Sequence, residues 1–176
     1  MPIICISGLT GSGKNAAGEA LAKRLNLRLV SLTFKDDAKK RGISLMQLQG
    51  AAGKDKKIDV DFDARVVKEA STGNCIVTTW LGPWMVKNAD LRIWIHADEF
   101  VRAGRIAKRD GMGAKEALEH LRMRDNDNCA RYKRYYGIDL EDHSLFDLEI
   151  DSGRHSPDEI AALIGKALRA KLKSRD

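Results

Sequence analysis

A glycine-rich segment near the start of the chain carries residues suited to binding a phosphate group. Gly8 and Gly13 are separated by four residues and Lys14 follows directly, which is the spacing of a phosphate-binding P-loop. Glycine permits the positive φ angles that turn successive backbone N–H groups towards phosphate oxygens. A lysine at this position reaches the β- and γ-phosphates of a nucleoside triphosphate. We predict that the following residues bind nucleotide: Gly8, Leu9, Thr10, Gly11, Ser12, Gly13, Lys14 and Asn15.

The residue after the lysine departs from the usual P-loop pattern. A Ser or Thr normally stands there and its hydroxyl holds Mg²⁺, whereas this chain has Asn15. An amide oxygen also binds Mg²⁺, but its reach differs, and Mg²⁺ tolerates little distortion of its octahedral shell. Asn15 is therefore the predicted metal ligand, and the sequence supports nucleotide binding better than efficient turnover.

Most of the positive charge of the chain lies in residues 102–134. Ten Lys and Arg side chains stand there against five acids, an excess of five within a net charge of +6. Two sets of residues in this region each share one helical face: Arg102, Arg105 and Arg109, then Arg124, Asn128 and Arg131. Guanidinium groups suit the charge that spreads over a phosphoryl group during its transfer. The region is either a lid that closes over nucleotide, which the preceding P-loop favours, or a pair of solvated surface helices.

Strand-like and helical patterns alternate along the chain. Short apolar strands are predicted at 3–6, 27–30, 75–78, 91–95 and 146–150. A helix is predicted directly after the P-loop, three more at 36–41, 44–51 and 59–70, and a last one that opens at Ser156. Such alternation is typical of βαβ units. The predicted fold is α/β, with a five-stranded parallel sheet covered by helices on both faces.

Composition limits the class of protein. With 176 residues, 43% of them hydrophobic and 32% charged, the chain is predicted to form one globular domain over residues 1–176. No apolar run approaches the roughly 20 residues that span a bilayer, so no membrane partner and a cytoplasmic location are expected. Three distant cysteines and four isolated histidines have no metal-ligand spacing. The positive net charge favours an anionic partner.

Five segments of the chain match one family of proteins. They are residues 4–14, 84–91, 105–109, 131–139 around Arg131-Tyr132 and Tyr136 to Asp139, and 156–159. Together they resemble the cytidylate kinases of the short archaeal type, which are P-loop nucleoside monophosphate kinases, over almost the whole chain. The resemblance implies a three-layer P-loop NTPase fold with a monophosphate-binding helical segment at about 31–72 and a helical lid at about 103–135. It also implies transfer of the ATP γ-phosphate to CMP or dCMP, with Mg²⁺.

The resemblance also assigns roles to particular side chains. Arg105 and Arg109 correspond to the lid arginines of the family and are predicted to bind the nucleotide as well, and Arg124 and Arg131 correspond to a later pair. The predicted catalytic residues are Lys14, Arg105, Arg109, Arg124 and Arg131. The predicted substrate-binding residues are Lys35, Trp80, Arg124, Asn128 and Arg131.

Four positions depart from the family pattern. Lys35 stands where the family has Arg, and Thr78 stands where it has a metal-side Glu. Trp80 replaces the arginine expected on the acceptor phosphate, and Asn128 replaces an acid. Trp80 either stacks on a base, which would move the preference away from CMP, or is a core residue at a strand end.

Three functions follow from these observations. The first is a monomeric nucleoside monophosphate kinase for a pyrimidine monophosphate, with CMP or dCMP as the expected acceptor. The second is a nucleotide-binding relative that has lost phosphoryl transfer, which Asn15 and Thr78 suggest. The third is a nucleic-acid-binding protein, in which Tyr132, Tyr135 and Tyr136 would stack on bases beside the arginines. The P-loop is unexplained by this last function. The sequence alone does not name the acceptor base or the sugar preference.

Overall fold

Five parallel strands form the centre of the structure, a computed structural model that describes residues 2–174. The strands are β1 (Ile3–Ser7), β2 (Arg28–Val30), β3 (Cys75–Val77), β4 (Leu91–His96) and β5 (Leu148–Asp151). Their order across the sheet is β2-β3-β1-β4-β5, and every neighbouring pair is parallel. The predicted five-stranded parallel sheet is confirmed.

Eight helices surround the sheet within the described residues. They are α1 (Lys14–Leu25), α2 (Phe34–Lys40), α3 (Leu45–Ala52), α4 (Lys56–Ala70), α5 (Gly82–Met85), α6 (Glu99–Asp110), α7 (Ala114–Tyr136) and α8 (Pro157–Lys173). None of the helices in residues 2–174 has the length and apolar character that crossing a membrane requires.

The alternation of side chains along β1 explains why helices cover both faces of the sheet. Ile4 and Ile6 are fully buried on the face that packs against α1 and α8. Ile3 and Cys5 point to the other face, which packs against α4 and the segment after α5. Burying one such aliphatic side chain is worth about 1.5–3 kcal/mol. A strand with two buried faces is apolar along most of its length, as residues 3–6 are, and the buried Ser7 at its end donates its hydroxyl to the Trp80 carbonyl at 2.6 Å.

Capping residues set the helix boundaries. Helix α8 opens at Ser156 as predicted, and Ser156 and Glu159 form a capping box there, with the Ser156 Oγ accepting from the Glu159 N–H and the Glu159 carboxylate accepting from the Ser156 N–H. Helix α4 starts one turn earlier than the predicted 59–70, because Asp55 caps it by accepting from the Lys57 N–H. The short helix α5 was not expected from the sequence.

Helices α6 and α7 form an antiparallel pair joined by residues 111–113. Their contact is a small apolar cluster of Ala103, Ile106, Ala117 and Leu121. The arginines of the predicted lid region therefore lie on two helices that pack against each other.

Candidate active site

A cavity of about 370 Å³ lies beyond the carboxyl ends of β1, β2 and β3. Ligands of open parallel sheets bind at this edge. The P-loop and Arg109 and Arg124 line one part of the cavity, and residues of α2, α3 and α4 line another. The polar and aromatic side chains that line the cavity include Lys14, Asn15, Lys35, Gln49, Asp63, Thr78, Thr79, Trp80, Arg109, Arg124, Asn128 and Tyr132.

The P-loop has the backbone that its glycines were predicted to permit. Gly11 and Gly13 have φ angles of 74° and 89°. A Cβ atom on Gly8 would stand 2.2 Å from the carbonyl oxygen of Ile95, so this position tolerates no side chain. The loop thus approaches the end of β4 closely enough to turn back into α1.

The carbonyl groups of the P-loop are held from outside the cavity. Arg102 Nη1 donates to the Thr10 carbonyl at 3.0 Å, and Arg105 Nη1 donates to the Gly11 carbonyl at 3.2 Å. The Ser152 hydroxyl donates to the Ser12 carbonyl at 2.6 Å. These bonds fix the carbonyl groups of the loop, and two of its N–H groups, those of Thr10 and Ser12, are also engaged, by Asp125 and by the Leu9 carbonyl.

Lys14 reaches into the cavity from the first turn of α1. Its Nζ lies 5.3 Å from the centroid of the Trp80 ring, a cation–π contact. Loss of surrounding water, together with the nearby Arg124 guanidinium, lowers the pKa of Lys14 to about 8. Because a phosphate group would favour the charged form of this buried lysine, binding of phosphate should raise the pKa of Lys14 again.

Several neutral oxygens around the P-loop are buried without a partner. Among residues 2–174, no hydrogen bond is made by Asn15 Oδ1, Thr78 Oγ1 or Thr79 Oγ1. Buried polar atoms are nearly always hydrogen-bonded, so such a group is typical of a ligand site. The Asn15 oxygen fits Mg²⁺, which prefers oxygen ligands. No set of three or more His, Cys, Asp or Glu in the described part of the chain could enclose a metal ion.

Two of the four predicted catalytic arginines line the cavity. Arg124 is largely buried, its Nε has no partner within residues 2–174, and burial lowers its pKa. Arg109 forms a bidentate ion pair with Asp110, with Nε donating to Oδ1 at 3.0 Å and Nη2 donating to Oδ2 at 2.6 Å. Lys35 Nζ donates to the same carboxylate at 3.1 Å. Arg109, Arg124 and Lys14 thus meet at the P-loop end of the cavity.

Arg105 lies outside the cavity wall. Besides the Gly11 carbonyl, its guanidinium donates to the Ser152 hydroxyl and carbonyl, at 2.9 and 2.7 Å. Its predicted contact with nucleotide stays a prediction.

Arg131 lies at the centre of a buried ionic cluster instead of in the cavity wall. Its guanidinium donates to Asp59 at 2.8 Å, to Asn128 at 2.8 Å and to Asp127. It stacks between the rings of Phe34 and Tyr132, with centroid distances of 5.4 and 5.2 Å. Its predicted role at the phosphates also stays a prediction, and the structure gives it a packing role.

Trp80 and Lys35 occupy different positions relative to the cavity. The Trp80 ring packs 6.1 Å from the Tyr132 ring, in an apolar cluster with Leu81, while one face meets Lys14. Trp80 is therefore a packed residue that also forms part of the cavity wall. Its predicted stacking on a base stays a prediction. Lys35 lies on the cavity rim and is largely exposed.

Asp125 and Asp63 are site residues that the sequence reasoning did not assign. Asp125 is buried, accepts from the Thr10 N–H at 3.1 Å and pairs with Arg102 at 2.6 Å, so it joins the P-loop to both α6 and α7. Asp63 lines the cavity and accepts from the Tyr136 hydroxyl at 2.7 Å. Burial raises the pKa of Asp63 to about 7. The sequence does indicate that Asp63 is buried, because Asp59 and Asp63 lie on the same face of α4 as the apolar Phe62 and Val66.

The three tyrosines proposed to stack on nucleic acid are used inside the fold. Tyr132 is buried beside Trp80, the Tyr135 hydroxyl donates to the Ala52 carbonyl at 2.8 Å, and the Tyr136 hydroxyl donates to Asp63. The aromatic argument for nucleic-acid binding therefore loses its support.

A three-layer α/β fold, with a P-loop that faces a cationic helix pair across a cavity, defines the class of P-loop kinases. Among solved structures, the chain is similar to an uncharacterised protein from Eubacterium ventriosum, with a TM-score of 0.72 and 21% identity, covering 96% of this chain and 99% of that one. It is also similar to shikimate kinase from Aquifex aeolicus, with a TM-score of 0.63 and 19% identity, covering 97% and 98%. At these identities the likeness concerns the fold alone.

Sequence comparison places the chain more narrowly. Residues 3–154 match the model of the cytidylate kinase-like family. The chain is 39% identical to the cytidylate kinase of Pyrococcus horikoshii over 168 residues, which cover 94% of this chain and 88% of that protein. It is 39% identical to the cytidylate kinase of Sulfurisphaera tokodaii, covering 92% of each. The chain belongs to the cytidylate kinase-like family, which confirms the resemblance seen in the sequence.

Proposed function

We propose that this protein is an ATP-dependent nucleoside monophosphate kinase that phosphorylates CMP or dCMP. The observation that carries the proposal is the convergence of Lys14, Arg109 and Arg124 at the P-loop end of one cavity. The other part of that cavity is lined by aromatic and polar side chains of α2, α3 and α4. The similar proteins described above are cytidylate kinases, and this supports cytidylate as the acceptor for this chain.

The P-loop amides and Lys14 would hold the β- and γ-phosphates of ATP, with the positive end of α1 directed at them. A phosphate oxygen of the acceptor would attack the γ-phosphorus, and the bond to the β–γ bridging oxygen would break. The products are a nucleoside diphosphate and ADP. No general base is required, because the attacking atom is already an ionised phosphate oxygen.

The cationic side chains supply the electrostatic part of the mechanism. Negative charge spreads over the equatorial oxygens of the γ-phosphoryl group in the transition state. Arg124, whose Nε has no partner in residues 2–174, is placed to donate to these oxygens. Arg109 reaches them if it exchanges Asp110 for phosphate, which is favoured because phosphate carries more charge than a carboxylate.

The metal position follows from the orphaned oxygens. Asn15 Oδ1 would hold Mg²⁺, directly or through water, and Thr78 Oγ1 lies on the same cavity as a second neutral acceptor. When bound, Mg²⁺ would offset the negative charge of the nucleotide phosphates. We expect weaker Mg²⁺ binding than at a carboxylate-bearing site, because both ligands offered by this chain are neutral. A monomeric state and a cytoplasmic location remain predictions.

An ADP-release assay over a panel of acceptors tests the proposal. Purified protein with ATP is tested with CMP, dCMP, UMP, AMP, GMP and dTMP, with and without Mg²⁺, beside a Lys14→Met variant. We expect turnover with CMP or dCMP that depends on Lys14. Absence of ADP with every acceptor would overturn the proposal. If ATP then still raised the melting temperature without Mg²⁺, a nucleotide-binding protein without transfer would be the better description.

A further inference from the structure

The part of the cavity away from the P-loop contains a buried carbonyl group with no partner. Gln49 on α3 is only 2% exposed, and it lines the cavity. Its Oε1 accepts no hydrogen bond from any residue in 2–174. An unpaired buried acceptor costs free energy unless a ligand or water supplies a donor.

The orientation of the Gln49 amide is fixed by its neighbours. Its Nε2 donates to Asp127 Oδ2 at 3.1 Å and lies 3.4 Å from Asn128 Oδ1. Asn128 Oδ1 is itself identified as the oxygen, because it accepts from Arg131 Nη2 at 2.8 Å. Turning the Gln49 amide over would place its oxygen against two acceptors. The hydrogen bonds of the amide nitrogen therefore fix the orientation in which Oε1 has no partner.

A second acceptor, Asp63, lines the same cavity. Asp63 is 9% exposed, and the hydrogen bond from the Tyr136 hydroxyl goes to its Oδ2, which leaves Oδ1 as the oxygen that can accept from a ligand. It follows Asp59 by one helical turn, and Asp59 belongs to the same ionic cluster as Asn128, the partner of Gln49. The Phe34 and Phe62 rings, 5.0 Å apart at 76°, form an apolar wall beside these acceptors.

Two hydrogen-bond acceptors beside aromatic rings match one base edge among the pyrimidines. The exocyclic amino group of cytosine offers two N–H donors, whereas uracil and thymine carry a carbonyl oxygen at that position. A carbonyl oxygen facing Gln49 Oε1 would leave two buried acceptors opposed and unpaired.

We propose that Gln49 Oε1 and the Asp63 carboxyl group accept the two N–H bonds of the cytosine amino group and so select cytosine over uracil and thymine. This inference rests on the proposed function, because it concerns the acceptor side of the same cavity.

The experiment compares kcat/KM for CMP and UMP in the wild type and in a Gln49→Leu variant. We expect kcat/KM for CMP to fall about 10- to 100-fold, as the loss of a buried hydrogen bond implies, mainly through KM. The value for UMP should stay the same or rise. An Asp63→Asn variant, which replaces an acceptor with a group that also donates, should lower the CMP-to-UMP ratio in the same direction.

A Gln47→Leu variant provides the matched control. Gln47 lies on the same helix but is exposed, and within residues 2–174 its side chain hydrogen-bonds to the N–H of Ser44, the cap of that helix. Its CMP-to-UMP ratio should equal that of the wild type. The proposal is overturned if the ratio in Gln49→Leu and in Asp63→Asn stays within about twofold of wild type, or if the wild type prefers UMP.

Binding measurements separate this proposal from the proposed function. If no monophosphate is phosphorylated, the kinase proposal fails, and calorimetric affinities for CMP and UMP then test base recognition without transfer. Tighter binding of CMP that is lost in Gln49→Leu supports recognition by Gln49. Equal binding of the two monophosphates to the wild-type protein overturns it.

Discussion

In an Arg131→Met variant, the carboxyl group of Asp59 would remain buried without its guanidinium partner. The side chains of Arg131 and Asp59 are 1% and 2% exposed, and the two groups are 2.8 Å apart. Removing one member of a buried pair costs about 3–5 kcal/mol of unfolding free energy. For a chain of this length, each kcal/mol lowers the melting temperature by about 2–4 °C, so a fall of about 10 °C is expected.

The pH dependence of this loss gives a second signature. Burial already raises the pKa of Asp59 in the wild type, while the Arg131 guanidinium opposes that shift. Without Arg131 the folded-state pKa rises further above its unfolded value. The variant then gains stability as the carboxyl group becomes protonated, and it loses that gain as pH rises through the folded pKa. Its deficit relative to wild type should be larger at pH 8 than at pH 5.

The assay is thermal unfolding at both pH values, beside kcat measured well below the melting temperature. A double variant, Asp59→Leu with Arg131→Met, should recover part of the lost stability because it removes the unpaired carboxyl group. An unchanged melting temperature in Arg131→Met, together with a loss of kcat of a thousandfold or more, would refute the structural role. It would support direct contact of Arg131 with the reacting phosphates.

Three further outcomes are expected from the P-loop and its surroundings. ATP binding at pH 8 should take up protons, because phosphate raises the pKa of Lys14 from about 8; calorimetry in buffers of different ionisation enthalpy measures this, and uptake that persists in Lys14→Met would contradict it. Asn15→Thr should lower the Mg²⁺ concentration needed for half-maximal activity, and an unchanged Mg²⁺ titration would show that Asn15 does not limit the metal site. Gly18→Ala should destabilise the fold by about 1–3 kcal/mol in chemical unfolding, because its Cβ would stand 2.2 Å from Thr78 Cγ2. Thr78→Ser, which removes that methyl group, should relieve the loss, and failure to do so would contradict the packing argument.

The fold and the P-loop could be predicted because the sequence carries them as local patterns. The apolar run at β1, the glycine spacing and the helical period after Lys14 each report on neighbouring residues only. The capping box of α8 is equally local, because its residues lie within one helical turn. Helix α5 was missed because it is only four residues long, Gly82–Met85, and has too few positions to show a helical period.

The roles of the arginines are harder to predict, because they depend on which distant groups each guanidinium meets. Arg105 and Arg131 are indistinguishable from Arg109 and Arg124 by spacing alone. The structure separates them: Arg105 meets Ser152, 47 positions away, and Arg131 meets Asp59, 72 positions away. The role of Gln49 could not be predicted for the same reason, since a buried oxygen can be recognised as unpaired only when all its neighbours are known.

Transfer of the γ-phosphate of labelled ATP to CMP tests the central claim most directly. With Mg²⁺ present, the label should appear in CDP at a rate that exceeds the rate for UMP and that is lost in the Lys14→Met variant. Label that appears only in inorganic phosphate, or that reaches no acceptor while ATP still binds, would contradict a kinase and leave a nucleotide-binding protein with the same fold.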